Sequence, residues 1–152
     1  MEKVRKTIEV FKHPYKWEVE VEFGTLEEML KNRYNWVAWN GIQVLVGGSF
    51  NEKMDSGSRA PLCQIGVELD IESYKFEDGA LKVSGVKSAK GIRKNSWEGT
   101  YCYIKSLFDS MLEQGLYPVR ANWDGKTYIE RGKLDKDGNW KSWYELTDRY
   151  VY

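Results

Sequence analysis

Three of the four Asx-Gly dipeptides, Asn40-Gly41, Asp124-Gly125 and Asp137-Gly138, each lie between short runs rich in aromatic and β-branched residues. Such pairs accept positive φ at both centres of a type I′ turn, whose twist matches that of two antiparallel strands. A chain punctuated in this way is expected to fold mainly as β-hairpins. The first hairpin is read from Val4–Phe11 and Tyr15–Phe23, which flank Lys12-His13-Pro14. Its second arm alternates strictly, with Trp17, Val19, Val21 and Phe23 facing one way and Glu18, Glu20 and Glu22 the other. That is the pattern of a half-buried strand with a solvated acidic face.

Two helices interrupt the strands. Thr25 and Glu28 have the spacing of a capping box, which opens a short helix to about Arg33 with Leu26, Met29 and Leu30 inward. A longer helix is expected from about Trp97 to Gln114, with Gly115 as its stop and Trp97, Tyr101, Ile104, Leu107, Phe108, Met111 and Leu112 on one face. Between them the spacing predicts a hairpin, Asn35–Trp39 with Ile42–Val46, then a long loop over Gly47–Leu62. An alternating strand, Cys63–Ile71, follows with a bend near Glu72-Ser73, and Glu77-Asp78-Gly79 turns the chain into Ala80–Val86. A closing meander is read from Tyr117–Trp123, Lys126–Leu134 and Asn139–Leu146. The fold expected over residues 1–152 is a single α+β domain, a mainly antiparallel sheet of about nine strands with two principal helices.

Composition narrows function mostly by exclusion. Lys plus Arg and Asp plus Glu number 23 each, so no net field draws the chain to nucleic acid or a membrane surface. Neither a leader-like apolar stretch nor a membrane-length run is present, and two cysteines are far from the density of a disulfide scaffold, so a cytoplasmic setting is expected. His13 is the only histidine, which leaves little material for a histidine metal site or a serine triad; no metal and no cofactor are expected.

Two local features point to ligands. Lys87–Ser96 is basic and, read as a loop before the long helix, would present outward amides to an anion, with Lys87, Lys90, Arg93, Lys94 and Ser96 as contacts. Arg59, in the Gly47–Leu62 loop, offers a bidentate grip on carboxylate or phosphate. A nucleotide or other anionic small ligand is the partner this reading implies, and nucleic acid would bind only through the same basic segment. The aromatics point to macromolecules instead. Period two puts Trp140 and Tyr144 on one face and Trp143 on the other, and separates Trp36 from Trp39. Two helices are too few to cover so many strands, so some of these rings are expected at the surface, where Trp and Tyr dominate protein interfaces.

The leading expectation is a non-catalytic binding protein with a protein partner, of the inhibitor or immunity type, encoded by a phage or mobile element on the same reading. Sequestration of an anionic ligand is the alternative. A hydrolase built on Glu68, Asp70 and Glu72, or on Cys102 near the start of the long helix, is a third. An uncovered face bearing Trp39 or Trp143 favours a two-fold homodimer. Lys126, Lys133, Lys136 and Lys141 oppose it by protecting the meander's edges.

Overall fold

Long-range strand pairing, more than local turn chemistry, sets this architecture. The computed structural model describes residues 4–32, 34–38, 41–46, 51–53, 59–61, 63–95, 100–123 and 126–147. Strands β1 (Val4–Lys12) and β2 (Tyr15–Gly24) pair antiparallel from Val4↔Phe23 to Lys12↔Tyr15, joined by a cis His13-Pro14 peptide. Trp17, Val19, Val21 and Phe23 are at most 2% exposed, as the alternation requires. Glu22 departs from the expected acidic face: it is buried, with Arg5 Nη2 at 3.2 Å from its Oε1.

Helix α1 (Leu26–Lys31) begins with the expected capping box. Thr25 Oγ1 accepts from the Glu28 amide, and Glu28 Oε1 accepts from the Thr25 amide, both at 3.1 Å. Strands β3 (Tyr34–Ala38) and β4 (Gly41–Val46) form the next hairpin. Because Ala38 pairs with Gly41, the link is residues 39–40, one position earlier than a turn centred on Asn40-Gly41. Gly41 belongs to the strand, where a Cβ would stand 2.5 Å from the Leu69 carbonyl oxygen. Trp39 and Asn40 lie outside the described residues.

The expected Gly47–Leu62 loop contains a short antiparallel pair, β5 (Asn51–Lys53) with β6 (Arg59–Pro61). Backbone pairing in so polar a stretch leaves no apolar period to read. Strands β7 (Cys63–Glu77) and β8 (Ala80–Asn95) then make the longest hairpin. Asp78 and Gly79 close it with φ of 54° and 73°, the type I′ signature. The register shifts once, between Asp70↔Ser88 and Ile71↔Val86, leaving Lys87 as an extra residue close to the expected bend.

The basic segment is therefore strand, not loop. After it come β9 (Thr100–Cys102), which pairs with β1, and α2 (Lys105–Glu113). The helix expected from Trp97 starts at Lys105, because Thr100–Cys102 completes the edge of the first sheet. Apolar spacing at Tyr101, Ile104 and Phe108 fits a helix and a strand-to-helix junction equally well. Gly115, at φ 76°, ends α2 with the Gly115 amide on Leu112 O and the Leu116 amide on Met111 O, a Schellman closure.

Strands β10 (Tyr117–Trp123), β11 (Thr127–Leu134) and β12 (Trp140–Thr147) depart from a meander. β10 pairs with β2 from Tyr117↔Gly24 to Trp123↔Val19, and β11 continues in the same direction with Tyr128↔Lys16 and Ile129↔Tyr15. β10 and β11 thus run in one direction along β2 and do not pair with each other as a hairpin; Asp124-Gly125, the expected turn between them, lies outside the described residues. Only β11 and β12 form a hairpin, around Asp137-Gly138, where Asp135 Oδ1 accepts the Asp137 and Asn139 amides at 2.9 Å.

Among the described residues the twelve strands form a six-stranded sheet, β12-β11-β2-β1-β9 with β10 also on β2, and a four-stranded sheet, β3-β4-β7-β8, besides the β5-β6 pair. This antiparallel α+β architecture agrees with the expected class, with more strands than the nine read from sequence. Ile42, Val44 and Val46 of β4 and Ile65, Val67 and Leu69 of β7 join the inner residues of β1 and β2 in one core, closed by Met29, Leu30, Phe108 and Met111.

Candidate functional site

The face of the six-stranded sheet turned away from this core carries aromatics where water-facing strands ordinarily carry polar residues. One register row crosses five strands: Tyr101 of β9, Phe11 of β1, Lys16 of β2, Tyr128 of β11 and Leu146 of β12. Phe11 and Tyr101 stack at 5.2 Å between centroids and 18° between planes. Tyr103 meets Tyr101 edge-on at 5.7 Å, and Tyr144 tilts against Phe11 at 6.4 Å. Lys16 lies between the rings, its Nζ 4.6 Å from the Tyr144 centroid and 5.4 Å from that of Tyr128. The ammonium also pairs with Glu9 Oε2 at 2.9 Å, and its side chain is only 14% exposed. The result is a platform whose rings are held by one another and by a partly buried cation.

Trp140 extends the platform along β12. Its ring covers Gly132, whose absent side chain leaves room for it. Exposure rises outward, from 39% at Tyr144 to 62% at Trp140 and 79% at Tyr103. Carboxylates rim the rings: Glu9 at Lys16, and Glu130, whose Oε2 is 3.3 Å from His13 Nδ1.

Electrostatics of the platform give it an alkaline limit. Burial pulls the Lys16 pKa down, but the hydrogen bond and charge of Glu9, aided by Glu18 and Tyr144, outweigh it and hold the group above its ordinary 10.5. Burial, with Glu130 and Tyr101 adding, raises Tyr144 above 10.0. Both groups bind their proton more firmly folded than unfolded. The stability they contribute is thus fully present below pH 10 and is lost as pH rises through the folded values. The melting temperature is expected to be flat from neutrality to about pH 9.5 and to fall above it, with a shallower fall in Tyr144→Phe. An equally steep fall in that variant would contradict the assignment.

Of the aromatic residues singled out in the sequence, Trp140 and Tyr144 lie on this face, and Trp143 points to the other, where its Nε1 donates to Glu145 Oε1 at 2.8 Å. Trp36 is exposed but belongs to β3 of the other sheet. Trp39 lies outside the described residues. Phe11, Lys16, Tyr101, Tyr103 and Tyr128 escaped the sequence reading. Phe11 and Lys16 fall on the polar phase of their strands, and Tyr101 fits the apolar phase of a helix that starts later. An aromatic on the polar phase of a strand was the signal available.

The basic residues do not converge. Lys87, Lys90, Arg93 and Lys94 are spread along β8. Alternation puts Lys90 and Arg93 on opposite faces, Lys90 Nζ at 3.6 Å from Glu68 Oε1 and Arg93 Nη1 donating to the Cys102 carbonyl at 2.7 Å. Lys87 borders a groove shared with Asp70 and Glu72, acidic neighbours for any anion. Arg59 is in β6, opposite Lys53, and Ser96 lies outside the described residues. Cys102 is buried at the end of β9, two residues before Ile104, the N-cap of α2, and not on the polar side of the helix as expected. Among the described residues no group of three or more His, Cys, Asp or Glu side chains is placed to hold a metal ion, and no helix is long and apolar enough to cross a membrane.

No known family model matches the chain, and neither a curated protein nor a solved structure matches it.

Proposed function

We propose that this protein is a non-catalytic binding protein, of the inhibitor or immunity type, that engages a protein partner through the aromatic outer face of its six-stranded sheet. The observation that carries this reading is the row Tyr101–Phe11–Lys16–Tyr128–Leu146, with Tyr103 and Trp140 beside it. A soluble fold gains nothing by keeping so many large apolar groups in water unless something covers them, and Tyr and Trp contribute most at protein interfaces. The rings are also fixed before binding, by stacking and by the cation of Lys16, so little side-chain entropy remains to be lost on association. The alternative of anion sequestration drew on a basic loop before a helix, and that segment is strand β8.

The test is retention of a partner from the native host by immobilised protein. Tyr103→Ala and Tyr101→Ala remove exposed rings and leave the core intact. Each is expected to weaken binding by about 2 kcal/mol, roughly 30-fold, if it is a hot spot. Trp36→Ala, on the other sheet, is expected to bind as the parent does. Retention that survives both tyrosine substitutions, or is lost with Trp36→Ala alone, would refute the assignment.

A further inference from the structure

Strand β12 is the outermost strand of the six-stranded sheet, and among the described residues nothing pairs with its second edge. It is exposed along nearly its whole length and carries Trp140, Trp143, Tyr144 and Leu146. Which backbone groups face outward follows from the hairpin. The Asp135 amide donates to Asn139 O at 2.8 Å, which makes 135/139 a hydrogen-bonded pair. Bonded and non-bonded pairs alternate in an antiparallel ladder, so Lys141, Trp143 and Glu145 point their amides and carbonyls at β11. Trp140, Ser142, Tyr144 and Leu146 point theirs at the open edge.

We propose that this edge pairs with β12 of a second copy, antiparallel about a two-fold axis at Trp143. That register sets Trp140 against Leu146, Ser142 against Tyr144, and Lys141 against Glu145 of the second copy, with the two Trp143 side chains facing each other. About eight interchain backbone hydrogen bonds close the edge, through the groups that point outward. Lys141–Glu145 and Trp143–Trp143 fall on the non-bonded positions, where side chains approach most closely. Sliding by two residues either way sets Lys141 against Trp143 or Thr147 and forfeits the charge match. Within one chain Lys141 has a like charge, Lys133, directly across from it on β11, an unfavourable pairing that the second copy's carboxylate offsets. Of the four lysines expected to guard the meander's edges, Lys141 alone lies on β12, and here it selects the register. The axis is normal to the sheet, so the two aromatic platforms emerge on the same side and the dimer is bivalent. This inference stands on the edge and its register alone and does not need the partner-binding reading.

Size-exclusion chromatography with light scattering over roughly 1–100 μM tests it. The parent is expected at about twice its chain mass of 17.8 kDa. Ser142→Pro removes an outward amide that β11 does not use, a place where an edge strand tolerates proline, and is expected to give a folded monomer by near-ultraviolet circular dichroism. Lys141→Glu is expected to weaken the dimer at least tenfold, and Lys141→Glu with Glu145→Lys to restore it to within a few-fold. Tyr103→Ala is expected to leave the dimer unchanged, so this inference and the proposed function fail separately. A parent that stays monomeric over the whole range, a dimer that survives Ser142→Pro, or a charge swap that restores nothing would overturn the proposal.

Discussion

Phe108→Ala is expected to destabilise the fold by about 3–5 kcal/mol, a large share of the 5–15 kcal/mol typical of a domain. Phe108 is fully buried in α2 and meets Phe23 of β2 edge-on, at 5.6 Å and 84°. It also presses on β8, where a side chain on Gly91 would come within 2.7 Å of its Cβ. One ring thus ties the helix to both sheets, and its loss leaves a cavity with rigid strands on two sides that cannot collapse into it. Urea denaturation measures the effect through its midpoint. A loss below about 1 kcal/mol would mean that α2 does not close the core in this way.

Gly66→Ala is expected to be comparably damaging for the opposite reason. A Cβ at Gly66 would stand 2.0 Å from the Val44 carbonyl oxygen and 2.7 Å from Leu45 Cα, both backbone atoms of β4. A side chain can swing aside, but a strand in mid-sheet moves only by breaking its ladder, so the cost reaches or exceeds the usual 1–3 kcal/mol of overpacking. Hydrogen exchange is the sensitive readout. Amides of β4 and β7 should lose protection first, while those of the β1-β2 hairpin keep theirs. Uniform protection equal to the parent would refute the close approach of the two strands.

Much of the architecture was legible where the deciding interaction is local. The Thr25–Glu28 box, the stop at Gly115 and the alternation of Trp17 to Phe23 each depend on residues a few positions apart, and each is where the sequence reading placed it. The Asx-Gly dipeptides show the limit. Asp78-Gly79 and Asp137-Gly138 sit in hairpin loops, Gly41 lies within a strand, and Asp124-Gly125 lies outside the described residues, between two strands that both run antiparallel to β2. Such a dipeptide states which φ the backbone tolerates. Whether the chain turns there is decided by which strand each flanking segment pairs with, and for β10 and β11 that strand is β2, far back in the chain. The basic segment failed for the same reason: its lysines conceal a strand whose partner, β7, supplies the apolar alternation.

The binding face was half legible. Trp140 and Tyr144 were placed together by period two within one strand, and exposure was inferred from having too few helices to cover the sheet. Joining them to Phe11, Lys16, Tyr101 and Tyr128 needs the order β9-β1-β2-β11-β12, which no local pattern encodes.

That face can be interrogated directly by photo-cross-linking in the native host, with p-benzoylphenylalanine installed singly at Tyr101, at Tyr103 and, on the other sheet, at the half-exposed Tyr74. Illumination is expected to give one discrete heavier adduct from positions 101 and 103, the same partner in both, and none from position 74. Adducts from position 74 with none from 101 or 103 would contradict a partner held on the aromatic face of the six-stranded sheet.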